Sequence, residues 1–494
     1  MTTSTKALPI IITLALLFAF GACSDDNEIN NDTVEAASAA VAHDRTTVPD
    51  YYTDVRPVIV ETCMACHTDE GVGWSMEDPE EAYERHPLIA HMVTSRQMPP
   101  WLAEPHVQEY VGDLSLDEDV IEIFAGWRDA GFPRGEPRPD PETRPDPEGV
   151  FPADLSLELL PDGSYTPDPS MVDDYRCFVI DWPREEPGYV TGFRLAPGNP
   201  RLAHHSIAYV VDPELVDRFR ELEQKEERPG YQCFGDAVPD RLWKDDDERK
   251  VYEAHYPDGV EELRVGSWLL AQWVTGMWGD VYPEGTGIRV EPGSALAVQM
   301  HYYTGDAPGE ADAGTQLHFQ VAERVERPAF FMLQDRMNWL PVFGPPSLII
   351  PPGDTPTYEV TRDFEFWRSF ATDLTGVDEE RIEALEVHSA HLHMHAFGQS
   401  GEITLVEPDG RSETLLSVPR WDYNWERNFF FTEPKVVPRD EMAATSLRLR
   451  CTYHNDTQET VYGGWGAFDE MCMNFSYIAV QEGAPETAST NSGH

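Results

Sequence analysis

The stretch Ile403-Thr404-Leu405-Val406-Glu407-Pro408-Asp409-Gly410 is followed four residues later by Thr414-Leu415-Leu416. Two β-prone runs around a Pro-Asp-Gly turn are typical of a β-hairpin. The runs Ser294 to Tyr303 and Leu447 to Tyr453 alternate as half-buried strands do. The pattern therefore predicts a mainly β fold from about residue 150 to residue 481, and the many Pro and Gly residues fit the turns of such a fold.

The segment before this β region is patterned differently. Residues 51–135 predict a compact helical unit, in which apolar residues such as Phe124 and Trp127 recur at helical spacing. A charged, proline-rich stretch follows at 136–149 and predicts a semi-rigid linker. Residues 482–494 have almost no apolar content and predict a disordered tail.

The N-terminus indicates export. Lys6 precedes an apolar run, Ala7 to Phe20, that is too short to span a membrane and is typical of a signal peptide covering residues 1–22. Small residues directly before Cys23 resemble a bacterial lipoprotein cleavage site. We therefore expect Cys23 to be lipidated and followed by a flexible tether at 23–50. The alternative is ordinary secretion with Cys23 lost or free. Either way the protein is exported, periplasmic or at the cell surface, where disulfides form.

The charge of the chain limits its partners. The 494 residues include 36 Lys+Arg and 89 Asp+Glu, a net charge of −53. Such a chain repels phosphate backbones, which excludes nucleic acid as a partner. The excess acid indicates a heavily solvated surface or, less simply, a docking site for a basic partner. A hydrophobic fraction of 41% is enough to build cores and excludes wholesale disorder.

Cys63, Cys66 and His67 form a C-x-x-C-H motif, the attachment signature of covalent haem c. Two thiols bond the haem vinyl groups and the histidine becomes an axial iron ligand. A thioredoxin-like pair is the rival, but such a pair does not require the histidine.

The second axial ligand is predicted to be Met98, whose thioether would raise the haem potential. Met76 and Met92 are alternatives for this position. The stretch from Cys63 to Gly131, with its Met-Pro-Pro-Trp run, resembles the small cytochrome c domains fused to periplasmic oxidoreductases. That resemblance implies a cytochrome c domain at 51–135.

Four cysteines remain after Cys23 and the haem motif. Three pairings are possible, and pairing within each half of the β region is the simplest. We therefore predict the disulfides Cys177–Cys233 and Cys451–Cys472.

Histidines cluster in the β region. His204 and His205 are adjacent, His301 lies near a strand end, and His393 and His395 form an H-x-H pair. Residues two apart on a strand share a face, whereas adjacent residues do so only where a strand bulges. With the thioether of Met471, these imidazoles describe a soft, redox-active metal and favour copper over magnesium or calcium.

The remaining histidines are interpreted more conservatively. His388 and His391 are expected to line the pocket or to support the ligands. The others are expected to be ordinary hydrogen-bonded core or surface residues.

The ordered motifs HHSIAY, QMHYY, HMHAFG and DEMC resemble the copper type II, ascorbate-dependent monooxygenases, the peptidylglycine α-hydroxylating and dopamine β-hydroxylase-like family. The resemblance covers about two-thirds of the chain. It implies two packed antiparallel jelly-roll β-sandwich domains, at 150–325 and 326–481, with one copper ion on each.

Carried over residue by residue, the resemblance assigns the ligands. His204, His205 and His301 would bind the electron-transfer copper. His393, His395 and Met471 would bind the copper at which oxygen reacts and would be the catalytic residues. The Cys451–Cys472 disulfide would hold the methionine in place.

Two departures bear on the substrate. Where the peptide-amidating enzyme has an Arg two residues before the H-x-H pair, this chain has His391. Where that enzyme has a substrate-binding Tyr four residues after the Met, this chain has Phe475. The carboxylate clamp is therefore missing, which argues against peptide amidation.

The sequence thus predicts a lipid-anchored, copper-dependent monooxygenase that hydroxylates a C–H bond of a small organic substrate with oxygen. Electrons would come through its haem c, from a periplasmic donor or an ascorbate-like reductant. The rivals are a non-catalytic haem and copper electron-transfer or copper-binding protein, and an oxygen-reducing or dehydrogenase-like role without hydroxylation.

Overall fold

The computed structural model describes residues 48–68, 74–141, 151–161, 163–233, 236–239, 250, 254–257, 259–274, 279–305, 307–335, 348–464 and 468–483. The predicted signal peptide, Cys23 and the tether up to residue 47 lie outside the described residues. So do residues 142–149 of the linker and 484–494 of the tail. None of the helices in the described part of the chain is long and apolar enough to cross a membrane.

The described helices are short, and most of them lie before the β regions. Asp78 caps one of them by accepting hydrogen bonds from the N–H groups of Glu80 and Glu81. Asp363 caps another, which ends at Gly376 in a left-handed conformation (φ 75°). The helices are α1 Arg56–Glu61, α2 Pro79–Glu84, α3 His86–Thr94, α4 Glu118–Asp129, α5 Val216–Gln224, α6 Glu261–Val265 and α7 Phe364–Thr375, with a π-helical turn at Tyr51–Val55 and 3₁₀ turns at Cys63–Ala65, Glu379–Arg381 and Arg439–Glu441.

Strands make up most of the rest, so the chain is mainly β as predicted. In chain order they are β1 Leu155–Glu158, β2 Asp173–Asp181, β3 Gly188–Ala196, β4 Ala203–Val211, β5 Tyr231–Gln232, β6 Ser267–Val274, β7 Asp280–Val281, β8 Thr286–Val290, β9 Ala295–Tyr303, β10 Gln316–Ala322, β11 Arg327–Asp335, β12 Ile349–Ile350, β13 Thr357–Asp363, β14 Ile382–Ala390, β15 Leu392–His393, β16 Gly398–Val406, β17 Ser412–Val418, β18 Phe429–Pro438, β19 Ser446–Tyr453, β20 Val461–Tyr462 and β21 Met473–Glu482.

The hairpin predicted around Pro408-Asp409-Gly410 is confirmed. Strands β16 and β17 pair antiparallel with Ile403 opposite Leu416, and the turn is closed by a hydrogen bond from the N–H of Glu407 to the carbonyl of Arg411. Gly410 has φ 85°, which a residue with a side chain rarely adopts.

The strands form three larger sheets. A five-stranded sheet (β5-β2-β9-β4-β6) belongs to the first β region, residues 150–325. A four-stranded sheet (β13-β19-β16-β17) belongs to the second β region, residues 326–481. A ten-stranded sheet runs through both regions, because β8 pairs in parallel with β11 across their boundary. The other described strands pair antiparallel, and one apolar core runs continuously through both regions.

The helical unit, residues 51–135, has its own core around Phe124 and Trp127. It is nevertheless docked on the second β region. Hydrogen bonds join Val111 to Phe430 and the hydroxyl of Tyr110 to the carbonyl of Leu415. These contacts hold the unit against strands β17 and β18 of the second β region.

The structure contains both predicted disulfides. Cys177 on β2 is bonded to Cys233, and Cys451 on β19 is bonded to Cys472 just before β21. Each bond therefore ties together two parts of one β region.

Candidate metal sites

Three histidines converge at the end of the five-stranded sheet. His205 on β4 lies opposite His301 on β9, and the register shifts between Ala203 and His205, so that His204 is a bulge residue. The Nδ1 atom of His205 lies 3.3 Å from that of His204 and 3.2 Å from that of His301. The structure therefore gathers this three-histidine cluster, and the bulge lets adjacent imidazoles face one point.

This cluster has the geometry of a metal site. The potential ligand atoms of the three side chains all lie within 4.8 Å of one another. Among the described residues, it is the one group of three or more His, Cys, Asp or Glu side chains with this geometry. Burial, reinforced by the neighbouring imidazoles, holds the pKa values of His205 and His301 well below their usual range. Both rings are therefore neutral at pH 7, as metal binding requires.

Two side chains orient His301. The carboxylate of Asp173 lies 2.9 Å from Nε2, and the ring of Tyr175 stacks on the imidazole with centroids 4.1 Å apart. With Nε2 held by the carboxylate, Nδ1 is left for a metal, which is the usual way a carboxylate fixes a histidine ligand.

The H-x-H pair occupies the other β region. His393 ends β15, opposite Met473 on β21, and His395 lies just beyond the strand. The pair therefore does not share one strand face as expected, since the strand stops between the two residues. The turn of the chain still brings the rings together, with centroids 5.2 Å apart and planes perpendicular.

Each of these imidazoles is held in place through one of its two ring nitrogens. Nδ1 of His393 lies 2.7 Å from the carboxylate of Glu426, and Nδ1 of His395 lies 3.2 Å from the carbonyl of Asp469. Burial alone would lower the pKa of His393, but the negative charge of Glu426 outweighs the effect of burial, so the pKa of His393 is raised. With Nδ1 of each imidazole engaged, Nε2 is the nitrogen that a metal would use. Glu426 was missed because no motif marks it.

Met471 is buried near these histidines, and its segment is braced from two sides. Tyr453 donates a hydrogen bond to the Met471 carbonyl, and the next residue is held by the Cys451–Cys472 bond. We name His393, His395 and Met471 the second cluster.

Glu470 ties the second cluster together. Its carboxylate accepts hydrogen bonds from the backbone N–H groups of His395 (2.9 Å), Phe397 (2.6 Å) and Met471 (3.1 Å). Burial raises the pKa of Glu470 to about 8 despite these bonds. Its place directly before Met471 was the one signal in the sequence that could have identified it.

The two clusters open on one cleft. This central cleft, with a volume of about 630 Å³, is lined by His205 of the first cluster and by all three members of the second. Tyr423 bridges the clusters, since its ring lies 5.5 Å from that of His204 and 6.0 Å from that of His395. The arrangement can hold two metal ions that share a substrate space.

His391 lines this cleft and His388 does not. The Nδ1 atom of His391 lies 3.1 Å from the amide oxygen of Asn428, and its ring is 5.5 Å from that of Phe475. His388 instead lies 3.1 Å from the carboxylate of Glu386. Of these two histidines, only His391 is therefore placed to touch a substrate in the cleft.

The helical unit contains a second cleft, with a volume of about 750 Å³. It is lined by Cys63, Cys66, His67 and Met98 and is mainly apolar. The Nδ1 atom of His67 lies 2.9 Å from the carbonyl of Trp74, which leaves Nε2 for an axial bond. The apolar lining, the nitrogen of His67 and the thioethers of the lining methionines are compatible with a haem.

The choice of the second axial ligand stays a prediction. Met76 and Met92 line this cleft as Met98 does. Burial raises the pKa of the Cys63 thiol to about 12 and lowers that of His67, as expected in an apolar pocket.

Comparisons with known proteins bear on the second β region. Residues 371–487 match the model of the copper type II ascorbate-dependent monooxygenase C-terminal domain, a stretch that includes His393, His395 and Met471. Dopamine beta-hydroxylase of Homo sapiens is 21% identical over 321 residues, which cover 63% of this chain and 44% of that protein. The chain thus spans less than half of this relative's length. Together the matches support a relationship to these copper enzymes.

Solved structures add little. A peptide-N(4)-(N-acetyl-beta-D-glucosaminyl) asparagine amidase is 6% identical, with 67% of this chain and 97% of that chain covered and a TM-score of 0.28. The major capsid protein P2 of bacteriophage PM2 is 9% identical, with 62% and 97% covered and a TM-score of 0.21. Likeness at this level supports no conclusion about function.

Proposed function

We propose that this chain is an exported, copper-dependent monooxygenase that hydroxylates a C–H bond of a small organic substrate and receives its electrons through a covalently bound haem c. The observation that carries the proposal is the central cleft, on which the three-histidine cluster and the second cluster both open. The match of residues 371–487 to the monooxygenase domain supports it from the sequence side.

The donor sets fit copper. The three-histidine cluster, His204, His205 and His301, offers neutral nitrogen ligands, and the second cluster offers two imidazoles and the thioether of Met471. Sulfur is a soft ligand that favours Cu(I), so the second cluster is the better site for the reduced ion. Copper bound at these clusters supplies the one-electron and oxygen chemistry of hydroxylation.

The protein's own residues prepare the site. Asp173 and Glu426 each hold one nitrogen of a ligand histidine, so the other nitrogen is the one that a metal would use. Tyr175, Phe475 and other apolar side chains line the walls and exclude water from the reacting centre.

The lining also bears on the substrate. Among the described cleft residues there is no Lys or Arg, and the polar groups are amides, hydroxyls, imidazoles and the Glu426 carboxylate. A carboxylate substrate would find no cationic partner there. This supports the inference that peptide amidation is not the reaction and that a neutral or cationic molecule is the substrate.

We further propose that Cys63 and Cys66 bond haem, that His67 and Met98 are its axial ligands, and that Cys23 anchors the exported protein to a bacterial membrane. Haem held in the cleft of the helical unit supplies the electrons. A periplasmic donor or an ascorbate-like reductant then reduces the haem again.

Oxygen uptake decides between hydroxylation and its rivals. The pure protein is incubated with candidate extracellular metabolites, reductant and ¹⁸O₂, and oxygen consumption is followed with mass spectrometry of the products. A monooxygenase consumes oxygen in step with a product that carries one labelled atom. Oxygen uptake without labelled product indicates an oxygen-reducing role, and no uptake indicates a non-catalytic carrier.

Metal and haem content are measured on the same preparation, made in a host that matures c-type cytochromes. We expect two copper ions and one iron per chain and haem that stays attached in denaturing gels. Zinc at both clusters after copper loading would reject the copper assignment, and loss of haem on denaturation would reject covalent attachment.

A further inference from the structure

Trp101 lies at the boundary between the helical unit and the second β region. It follows Met98, Pro99 and Pro100, which line the cleft of the helical unit, here called the haem cleft. The backbone N–H of Trp101 donates a hydrogen bond to the Pro99 carbonyl at 2.9 Å. Trp101 also packs against the small apolar cluster of Cys66 and Leu114, both of which line the same cleft. Trp101 therefore lies directly behind the residues that form the wall of the haem cleft.

The other side of Trp101 contacts the second β region. The ring of Phe429 meets it edge-on with centroids 5.1 Å apart, and the guanidinium carbon of Arg427 lies 4.7 Å from the indole centroid. Stacked and edge-on aromatic contacts of this kind hold two surfaces in a defined orientation.

The residues that touch Trp101 alternate with residues that touch His393, a member of the second cluster, or its neighbour His391. In the segment Glu426–Phe429, Glu426 holds His393 at 2.7 Å and Asn428 lies 3.1 Å from His391. Phe429 is the ladder partner of Ala390, which directly precedes His391. One four-residue segment thus contacts both the haem-cleft wall and the side chains around the second cluster.

The docking of the unit is broader than this one contact. Tyr110 pairs with Phe431 as an isolated β-bridge, and Arg420 donates hydrogen bonds to the carbonyls of Ser95 and Arg96. The haem cleft is consequently fixed against the second β region by backbone pairing, in addition to its tether through the linker.

We propose that Trp101 is a positioning residue that fixes the haem cleft against the Glu426–Phe429 segment, and that electrons enter the central cleft on the His393 side. This route departs from the one that the family resemblance implies, in which the copper of the three-histidine cluster transfers the electrons. This inference rests on the proposed function, because it presumes haem and copper in the two clefts. Each transfer oxidises a ferrous haem to ferric and reduces one Cu(II) to Cu(I), with no bond formed or broken.

The test uses the full chain loaded with haem and Cu(II), reduced at the haem without oxygen. Stopped-flow absorbance follows oxidation of the haem, and electron paramagnetic resonance follows loss of the Cu(II) signal. His301→Ala removes a ligand of the three-histidine cluster and leaves the second cluster intact. We expect this variant to lose the copper of the three-histidine cluster. The Cu(II) signal that remains should still disappear as the haem is oxidised.

Trp101→Leu should slow haem oxidation about 10- to 100-fold, the range expected when a positioning contact is lost. Arg427→Gln keeps the tryptophan, removes the guanidinium above it and should slow the reaction less. Trp268→Leu, the same substitution at a partly buried position in the first β region, is the matched control and should leave the rate unchanged.

Three results would overturn the inference. Loss of haem oxidation in His301→Ala would place electron entry at the first cluster. An unchanged rate in Trp101→Leu, with haem and copper contents equal to those of the parent, would remove Trp101 from the contact. Absence of covalent haem or copper from the parent protein would reject the proposed function as well, and absorbance and metal analysis reveal that before any kinetic measurement.

Discussion

The phenol ring of Tyr423 stacks on the imidazole of His204, with centroids 5.5 Å apart and planes within 24°. Tyr423 comes from the second β region and His204 from the first. The same phenol meets His395 edge-on at 6.0 Å. One aromatic ring thus contacts a candidate ligand of each cluster, and the contact helps to hold the two β regions around a single cleft.

We therefore predict that Tyr423→Leu loosens the central cleft. Two aromatic contacts are worth about 1–3 kcal/mol together, enough to shift the ratio of closed to open molecules about 5- to 150-fold. Pulsed electron paramagnetic resonance on the protein loaded with two Cu(II) ions should show a longer, broader copper–copper distance. Tyr423→Phe keeps the ring and is the matched control. A distance distribution in Tyr423→Leu equal to that of the parent would show that the ring does not hold the clusters together.

Glu426 should raise the affinity of the second cluster for Cu(I). Its carboxylate holds Nδ1 of His393. Burial alone would raise the pKa of Glu426, but the charges of His393 and His391 outweigh burial, so the pKa lies below its usual range. Glu426→Gln removes the charge, so the affinity for Cu(I) should fall about 10- to 100-fold. Competition with a Cu(I) chelator measures it. Glu433→Gln, at an exposed position of the same β region, should leave the affinity unchanged, and equal affinities in both variants would contradict the role.

Features that depend on residues close together in the sequence were predicted, whereas features that depend on contacts between distant residues were missed. The hairpin at 403–416 and the strand at 295–303 depend on neighbours in the chain, and periodicity reveals such elements. The ligand candidates were visible because metal chemistry restricts residue type and spacing. The need for a bulge at His204 and His205 followed from the geometry of a strand.

Glu426 and Tyr423 could not be predicted in this way. Each acts on a histidine about 30 or more positions away, and no local pattern separates them from an ordinary Glu or Tyr. The parallel pairing of β8 with β11, which joins both β regions in one sheet, depends on tertiary packing too. The docking of Trp101 on Phe429 is a contact of the same long-range kind.

The two disulfides should differ in effect. In the chain-entropy model, removing Cys451–Cys472 costs about 3 kcal/mol and removing Cys177–Cys233 costs about 4 kcal/mol, from sequence separations of 21 and 56 residues. The variant with Ser at 177 and 233 should therefore melt at a lower temperature than the variant with Ser at 451 and 472. Only the Cys451/Cys472 pair lies beside Met471, so only that variant should also lose copper from the second cluster. Equal copper contents in both variants would separate the disulfide from the metal site.

Asp280 should make stability depend on pH. Burial raises its pKa to about 6, against the hydrogen bond from Asn428 and the charges of Arg427 and His391. Between about pH 4 and pH 6 the folded protein holds a proton that the unfolded chain has released, so the free energy of unfolding falls as pH rises through this window.

Asp280→Asn should remove this dependence. The variant should match the parent near pH 4 and exceed its stability at pH 7 by up to about 3 kcal/mol. Urea unfolding at pH 4, 5, 6 and 7 measures the difference. Asp354→Asn, at an exposed position, controls for the loss of one charge. A constant difference between parent and Asp280→Asn across this range would contradict the prediction.

Met471 is the sharpest test of the second cluster. Met471→Ile keeps apolar bulk at a buried position, so its cost in stability should be about 1 kcal/mol or less. The variant loses the thioether, the one soft ligand in the cluster. The copper held by His204, His205 and His301 should stay, the copper at His393 and His395 should be weakened, and substrate-driven oxygen uptake should fall by about two orders of magnitude or more.

An ordinary core residue in this place would behave differently. Met471 packs beside the Cys451–Cys472 bond, and if packing were its whole role, the Ile variant would lose a little stability and keep both its copper content and its oxygen uptake. Copper stoichiometry and oxygen consumption are therefore measured on one preparation, with Met332→Ile, a buried methionine outside the cleft lining, as the matched control. Because both substitutions remove one buried sulfur, only a ligand role predicts that copper and activity are lost in Met471→Ile alone.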